Sequence, residues 1–358
     1  MEADRVDEIS LKADEGARFC LDMLGQLSVP EEEARACADS LVDASLRGVD
    51  SHGVTMVAIY VERILSGQIK PGRKWIVRRE GPVTALCDGQ HGVGPHLAAA
   101  SVDLAVAKAK KNGLGVVSLI DGNYVGALSF YVARVAEAGM LGLCTANSTP
   151  RVAPFGGREG LHGTNPIAYA APRSDGEPLL FDAASGHAAA PIGLAKEEGR
   201  PIPEGTALDR AGQPTTDAAA ALDGILLPVG GVMGYGMGLL VDLLSGGLAG
   251  GPCGRDVPPV AETRLPYGCG FFVLAIDPER FGGEEIFRER TDFLSHSARN
   301  IPPAQGFKEV RVPGDGAARK RAERLRGGIP VPTSRWRATL ARLAGCGLNV
   351  DSWEGKLR

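Results

Sequence analysis

Aromatic residues make up only 5% of this 358-residue chain, and it lacks the compact motifs that fix a chemistry at sight. Its seven cysteines (Cys20, Cys37, Cys87, Cys144, Cys253, Cys269 and Cys346) form no CxxC pair and no zinc-like cluster. An odd set of scattered thiols reads as a reducing, cytoplasmic setting. The six histidines make no HExxH, so no metal site is expected. There is no GxSxG elbow and no Walker A loop. No GxGxxG follows a strand, since the glycine clusters at 89–94 and 234–238 are wrongly spaced for a Rossmann turn. A net charge of −4 argues against a nucleic-acid partner. Met1-Glu2-Ala3-Asp4 opens acidic, without the basic and apolar regions of a secretory signal. The apolar run from Gly224 to Gly251 is interrupted by Pro228, Asp242 and several glycines, which predicts a buried segment and no membrane partner. With 44% apolar residues, a chain of this length suggests a soluble protein of about two domains.

The first 70 residues read as helices. Pro30 precedes Glu31-Glu32-Glu33, the acid-rich first turn of a helix, which then runs towards residue 47. Another helix over Met56 to Leu65 ends near Gly67. Trp75 to Val77, Thr84 to Cys87, Gly115 to Ile120, Leu141 to Thr145 and Phe271 to Ile276 are strand-like runs. Helical spacing covers Ala98 to Lys110 and about Ala127 to Gly139. From Pro150 to about Gly251, glycine and proline predict loops lining a site. The basic run from Arg319 to Arg326 reads as a solvated face of a C-terminal helical tail.

The stretch Arg47-Gly48-Val49-Asp50-Ser51-His52-Gly53-Val54 offers the clearest chemistry. His52 is suited to moving a proton at neutral pH, and Asp50 and Ser51 are placed to orient or tune it. As the polar end of a helix, the same stretch needs no function. Other polar turns stand at Asn147-Ser148, at His162-Gly163-Thr164-Asn165-Pro166, and at Phe181-Asp182-Ala183-Ala184-Ser185-Gly186. Each supplies backbone N–H groups or small donors suited to a ribose or phosphate, and each alone is ordinary turn chemistry.

Taken in order, these segments resemble the type-2 malate/L-lactate dehydrogenase family, which also includes ureidoglycolate, sulfolactate and diketogulonate dehydrogenases and Δ1-piperideine-2-carboxylate reductases. The resemblance also rests on the run from Thr149 to Gly157, Pro203-Glu204-Gly205-Thr206, Leu227-Pro228-Val229-Gly230-Gly231, Gly234-Tyr235-Gly236 and Val312-Pro313-Gly314. It implies an α+β fold without a Rossmann crossover. A dinucleotide-binding domain (residues 78–315) with a large, mostly antiparallel sheet would pack on a helical domain built from both termini (1–77 and 316–358). It further implies a homodimer and a small-molecule substrate, with NADH or NADPH as cofactor. His52 matches the family's proton-transferring histidine. The resemblance places the dinucleotide against Ser148, Asp182, Ala183, Ala184, Ser185, Pro313, Gly314 and Asp315, the last standing where the family usually has Glu, and the donors of the turns at Asn147 and at Gly163, Thr164 and Asn165 make these further cofactor candidates.

Three departures bear on the substrate. Met56 replaces the arginine that clamps a carboxylate, Tyr124 replaces a second acid–base histidine, and Met233 replaces a lysine. Ala189-Ala190-Pro191-Ile192 also replaces a lysine-bearing stretch. Losing a charge-assisted hydrogen bond costs about 1.5–3 kcal/mol, or roughly 10- to 100-fold in affinity. Three readings follow: drift, a remodelled pocket for a ketone or cyclic imine other than malate or lactate (a tailoring role in secondary metabolism fits it), or an inactive homologue that binds a small molecule or partner. The remodelled pocket accords best with the intact His52 turn. Its substrate is either an anion held by Arg151 from another loop or, the favoured option, a less polar molecule between Met56 and Met233. Tyr124 is then the uncharged second polar group.

Overall fold

The computed structural model describes residues 7–259 and 262–357, so the acidic opening at residues 1–4 lies outside the described residues. The chain begins with strand β1 (Glu8–Leu11) and helices α1 (Ala13–Gly25), α2 (Glu31–Leu46) and α3 (Val57–Leu65). Pro30 stands directly before α2, and its three leading glutamates complement the positive end of the helix. Then come β2 (Ile76–Glu80), β3 (Thr84–Asp88), α4 (Gly94–Asn112), β4 (Leu114–Ile120), α5 (Ser129–Glu137), β5 (Leu141–Ala146), β6 (Pro166–Ala171) and β7 (Leu179–Ala184). Next are α6 (Ala189–Glu197), the two-residue strands β8 (Ala207–Leu208) and β9 (Pro214–Thr215), α7 (Ala218–Asp223), β10 (Ile225–Leu226) and α8 (Val232–Ser245). The chain closes with β11 (Phe271–Ile276), α9 (Glu284–Arg299), α10 (Asp315–Gly327), β12 (Ile329–Pro332), α11 (Thr333–Gly345) and α12 (Asp351–Glu354).

Seven strands form a mixed sheet in the order β2-β3-β4-β11-β5-β6-β7. Only β3 and β4 run parallel, and α4 makes the crossover that a parallel pair requires. At Gly115 an added Cβ would sit 1.8 Å from the Ala105 carbonyl oxygen, so glycine permits α4 to lie directly on β4. Val102, Tyr131, Cys144, Ala168 and Phe271 form the core between the sheet and helices α4 and α5. A separate core draws on both ends of the chain: Leu11, Phe19, Leu41 and Tyr60 pack with Trp336, Leu343 and Trp353. Phe19 and Trp336 lie with ring centroids 4.5 Å apart there.

Three sequence expectations are corrected. The first 70 residues are not wholly helical, because Glu8–Leu11 pairs antiparallel with Ile329–Pro332 and ties the two chain ends together. The stretch after Pro150 holds β6, β7 and α8 as well as loops; its alternation is hidden by small alanines that pack on both sheet faces. The segment from Gly224 to Gly251 is not uniformly buried, since Val232, Met233, Leu243 and Leu248 are exposed. Val232–Ala249 is long and apolar enough by composition to cross a membrane, yet its inner side packs on β4, β5, β6 and β11.

Candidate active site

After α2 the backbone turns at Gly48, whose φ of 83° favours glycine, and passes through a short 3-10 turn spanning Asp50–His52. Two contacts hold this turn. Ser51 Oγ lies 2.9 Å from His52 Nδ1, which leaves Nε2 as the free ring nitrogen. The Arg324 guanidinium of α10 grips the Asp50 carboxylate through both oxygens, at 2.6 and 3.1 Å, and donates also to the Ser45 carbonyl. Asp50 therefore anchors the turn from the C-terminal segment and is not bonded to the imidazole. Burial pushes the His52 pKa below its ordinary value, because the charged ring loses water there.

His52 stands where two cavities meet. The larger, about 380 Å³, runs past Gly126, Ser129, Asp182, Ala183, Ala184 and Gly314. The smaller, about 80 Å³, is bounded by Tyr124, Asn147, Ser148, Tyr267 and Cys269. His52, Gly126, Thr164 and Pro166 line both. The Tyr124 ring faces the His52 ring at 6.0 Å between centroids, and burial raises its phenol pKa, so the hydroxyl stays protonated. Burial also pushes the Cys269 thiol up to about 12, which removes it as a nucleophile at neutral pH.

Several expected cofactor residues are occupied in holding the walls. The Asn147 side chain donates to Asp242 and to the Pro252 carbonyl and accepts from the Gly270 N–H, cross-linking three segments. Asn165 accepts from the Ser148 N–H and donates to the Gly238 carbonyl. Ser185 donates to the Thr164 carbonyl. Gly163 lies so close to Ser148 that an added Cβ would meet its Oγ at 2.1 Å. Asp182 accepts from the Ser129 N–H at 2.7 Å, at the start of α5, and burial raises its pKa against that bond. Asp315 pairs with Arg299 and accepts from the Val312 N–H, and the Arg299 hydrogen bond holds its carboxyl below the usual range. Pro313 and Gly314 line the larger cavity, and the Pro313 carbonyl accepts from the Leu180 N–H.

The substrate candidates are not brought together. Met56 is half-buried and packs against the terminal core. Arg151 and Met233 are exposed and line neither cavity at His52. Sequence reasoning missed four residues that the fold assembles here. Arg47, paired with Asp43, and Ser129, at the start of α5, both line the larger cavity. Tyr267 lines the smaller one, and Arg63 stacks on it with its guanidinium carbon 4.5 Å from the ring centroid. Arg63 carried a usable signal: it lies three residues beyond Tyr60 on an otherwise apolar helix face. Tyr267 carried none, because it sits in an irregular loop far along the chain.

Residues 11–339 match the family model described as malate/L-lactate dehydrogenase. An L-sulfolactate dehydrogenase of Methanocaldococcus jannaschii is 35% identical over 343 residues, covering 96% of this chain and 99% of the relative. The solved structure of the sulfolactate dehydrogenase from that organism superposes with a TM-score of 0.89 at 34% identity, covering 96% of this chain and 99% of that one. A ureidoglycolate dehydrogenase (NAD(+)) of Escherichia coli O157:H7 is 34% identical over 310 residues, 86% of this chain and 88% of the relative. The structure of a Δ1-piperideine-2-carboxylate reductase from Pseudomonas syringae pathovar tomato gives a TM-score of 0.83 at 29% identity, over 94% and 99% of the two chains. The chain belongs to the malate/L-lactate dehydrogenase family.

Proposed function

We propose that this chain is an NAD(P)H-dependent oxidoreductase that reduces a ketone or cyclic imine distinct from malate and lactate. The observation that carries this reading is the meeting of a long and a small cavity at His52. The long cavity falls within the ~300–1,000 Å³ typical of ligand sites. Its residues fit a dinucleotide: small side chains at Gly126, Ala183, Ala184 and Gly314 leave backbone exposed, and the Ser129 hydroxyl at the start of α5 is a donor beside them. When bound, the nicotinamide supplies or takes the hydride. Protonated His52 gives its proton to the carbonyl oxygen or imine nitrogen as the carbon is reduced, and neutral His52 takes it back in the reverse direction. Ser51 orients the ring through Nδ1, Asp50 fixes the turn, and the Tyr124 phenol donates a hydrogen bond to the same heteroatom.

The core that joins both chain ends supports a helical domain of residues 1–77 and 316–358 beside a cofactor domain of 78–315. The apolar side chains exposed on α8, Met233 and Leu243 among them, support a homodimer that covers them. The seven unpaired cysteines accord with a reducing cytoplasm.

Titrating NADH and NADPH against tryptophan fluorescence tests the reading. Saturable quenching by at least one cofactor is expected; no response to either would leave only a non-catalytic homologue.

A further inference from the structure

We propose that Arg47 holds the pyrophosphate of the dinucleotide in the larger cavity. The proposal rests on the cofactor reading given above and names the residue that meets the phosphate charge. Arg47 directly follows α2, stands five residues before His52 and lines the same cavity. Among the described residues that line it, Arg47 is the one lysine or arginine and Asp182 the one carboxylate.

The Arg47 guanidinium is buried but only partly used. Its Nε donates to Asp43 at 2.7 Å, and its two Nη groups make no hydrogen bond among the described residues. A guanidinium presents its N–H donors as a planar fork, so the Nη edge remains for a second anion. Nor does Asp43 serve Arg47 alone. The basic run of α10, read from sequence as a solvated face, brings Arg321 Nε to 3.7 Å from the other Asp43 oxygen. One carboxylate therefore faces two guanidiniums. Glu177 lies 3.8 Å from Arg321, half-exposed and beyond hydrogen-bond distance, where water screens it. The acid of the cavity wall, Asp182, is occupied at the start of α5, where it accepts from the Ser129 N–H.

Two observations direct this fork to the phosphates and not to the rings of the cofactor. Pro313, Gly314 and Ala317 put the N-terminal end of α10 into the same wall, and no side chain caps that helix, since Asp315 is bonded to Arg299 and to the Val312 N–H. Its first-turn N–H groups and its dipole favour an anion on the cavity side, beside Arg47. The nicotinamide, in turn, belongs at His52, where the two cavities meet. An arginine five residues earlier on the same wall meets the next part of the molecule, the ribose and its phosphates. Bidentate pairing with phosphate oxygens suits the free Nη edge.

The test titrates the full chain calorimetrically with ADP-ribose, which carries the pyrophosphate without the nicotinamide, and with dihydronicotinamide riboside, which carries no phosphate. Arg47→Gln should weaken ADP-ribose by about tenfold or more and leave the riboside within about twofold. Arg47→Lys keeps the charge but loses the fork, so it should weaken ADP-ribose by about three- to fivefold. Equal loss for both probes in Arg47→Gln gives Arg47 a packing role only and overturns the proposal, as does unchanged ADP-ribose affinity. NADH and NADPH should weaken by the same factor; a much greater loss for NADPH would move the contact to the 2′-phosphate and overturn the pyrophosphate assignment. If Arg47→Gln fails to fold, Arg47→Lys decides, and full ADP-ribose affinity in that variant overturns the proposal. Variants that bind NADH as tightly as the wild type sink this proposal alone. A wild-type chain that binds neither NADH nor NADPH sinks the cofactor reading and this proposal with it.

Discussion

Replacing Asp50 with Asn should loosen the His52 turn from the opposite end of the chain. The Asp50 carboxylate receives two bonds from Arg324, at 2.6 and 3.1 Å, while the Arg324 and Asp50 side chains are 11% and 39% exposed. Exposed ion pairs are worth about 0.2–1 kcal/mol, and breaking a fully buried pair costs about 3–5 kcal/mol. This pair lies between those limits, and the exposure of Asp50 places it nearer the first, at about 1.5 kcal/mol. Each kcal/mol moves the melting temperature of a chain this large by about 2 °C, so Asp50→Asn should melt about 3 °C lower. Thermal denaturation followed by circular dichroism, on Asp50→Asn, Arg324→Gln and the double variant, isolates the pair. A coupling of about 1 kcal/mol is expected, with a fall in kcat because the turn carrying His52 is less well held. Strictly additive melting shifts would refute the claim that this pair anchors the site.

The burial that lowers the His52 pKa gives a signed pH dependence. Alcohol or amine oxidation, which needs neutral His52, should gain kcat/KM as pH rises through an apparent pKa below about 6.5 and then level off; reduction should show the mirror-image loss, and His52→Gln should abolish both limbs. Gly163→Ala places a Cβ 2.1 Å from Ser148 Oγ and 2.4 Å from the Ser148 carbonyl oxygen, so it should destabilise the chain by about 1–3 kcal/mol and weaken cofactor binding, both read by melting with and without NADH. Tyr124→Phe keeps the ring and removes one neutral donor, so kcat/KM should fall about 5- to 10-fold with little change in melting; unchanged turnover would reduce Tyr124 to packing.

Much of the fold was legible where local chemistry is strong. The proline and glutamates at the start of α2 and the β-rich runs now seen as β3, β4, β5 and β11 fall where sequence pattern puts them. Strand β1 was not legible, because its four residues gain their hydrogen bonds from a partner more than 300 positions away. Strands β6 and β7 are rich in alanine, which carries little β signal. At the site, the His52 turn stood out because an acid, a hydroxyl and an imidazole are adjacent in sequence. Arg63 and Tyr267 meet only through the fold: the helical spacing from Tyr60 marks Arg63, but nothing in the sequence points to its partner ring. Met56 and Met233 illustrate the converse: motif comparison marks both as site positions, yet one packs on the terminal core and the other faces outward in the single chain.

The central claim, that His52 moves the proton at a junction of cofactor and substrate cavities, is tested most directly by His52→Gln under single-turnover conditions. The variant should bind the cofactor as the wild type does, because His52 forms only one edge of the larger cavity. Its chemical step with a 2-oxo acid or cyclic imine that the wild type reduces should slow by about 10²–10⁴-fold, the usual contribution of a general acid. A His52→Gln chain that binds the cofactor and reduces the same substrate at the wild-type rate would contradict the account.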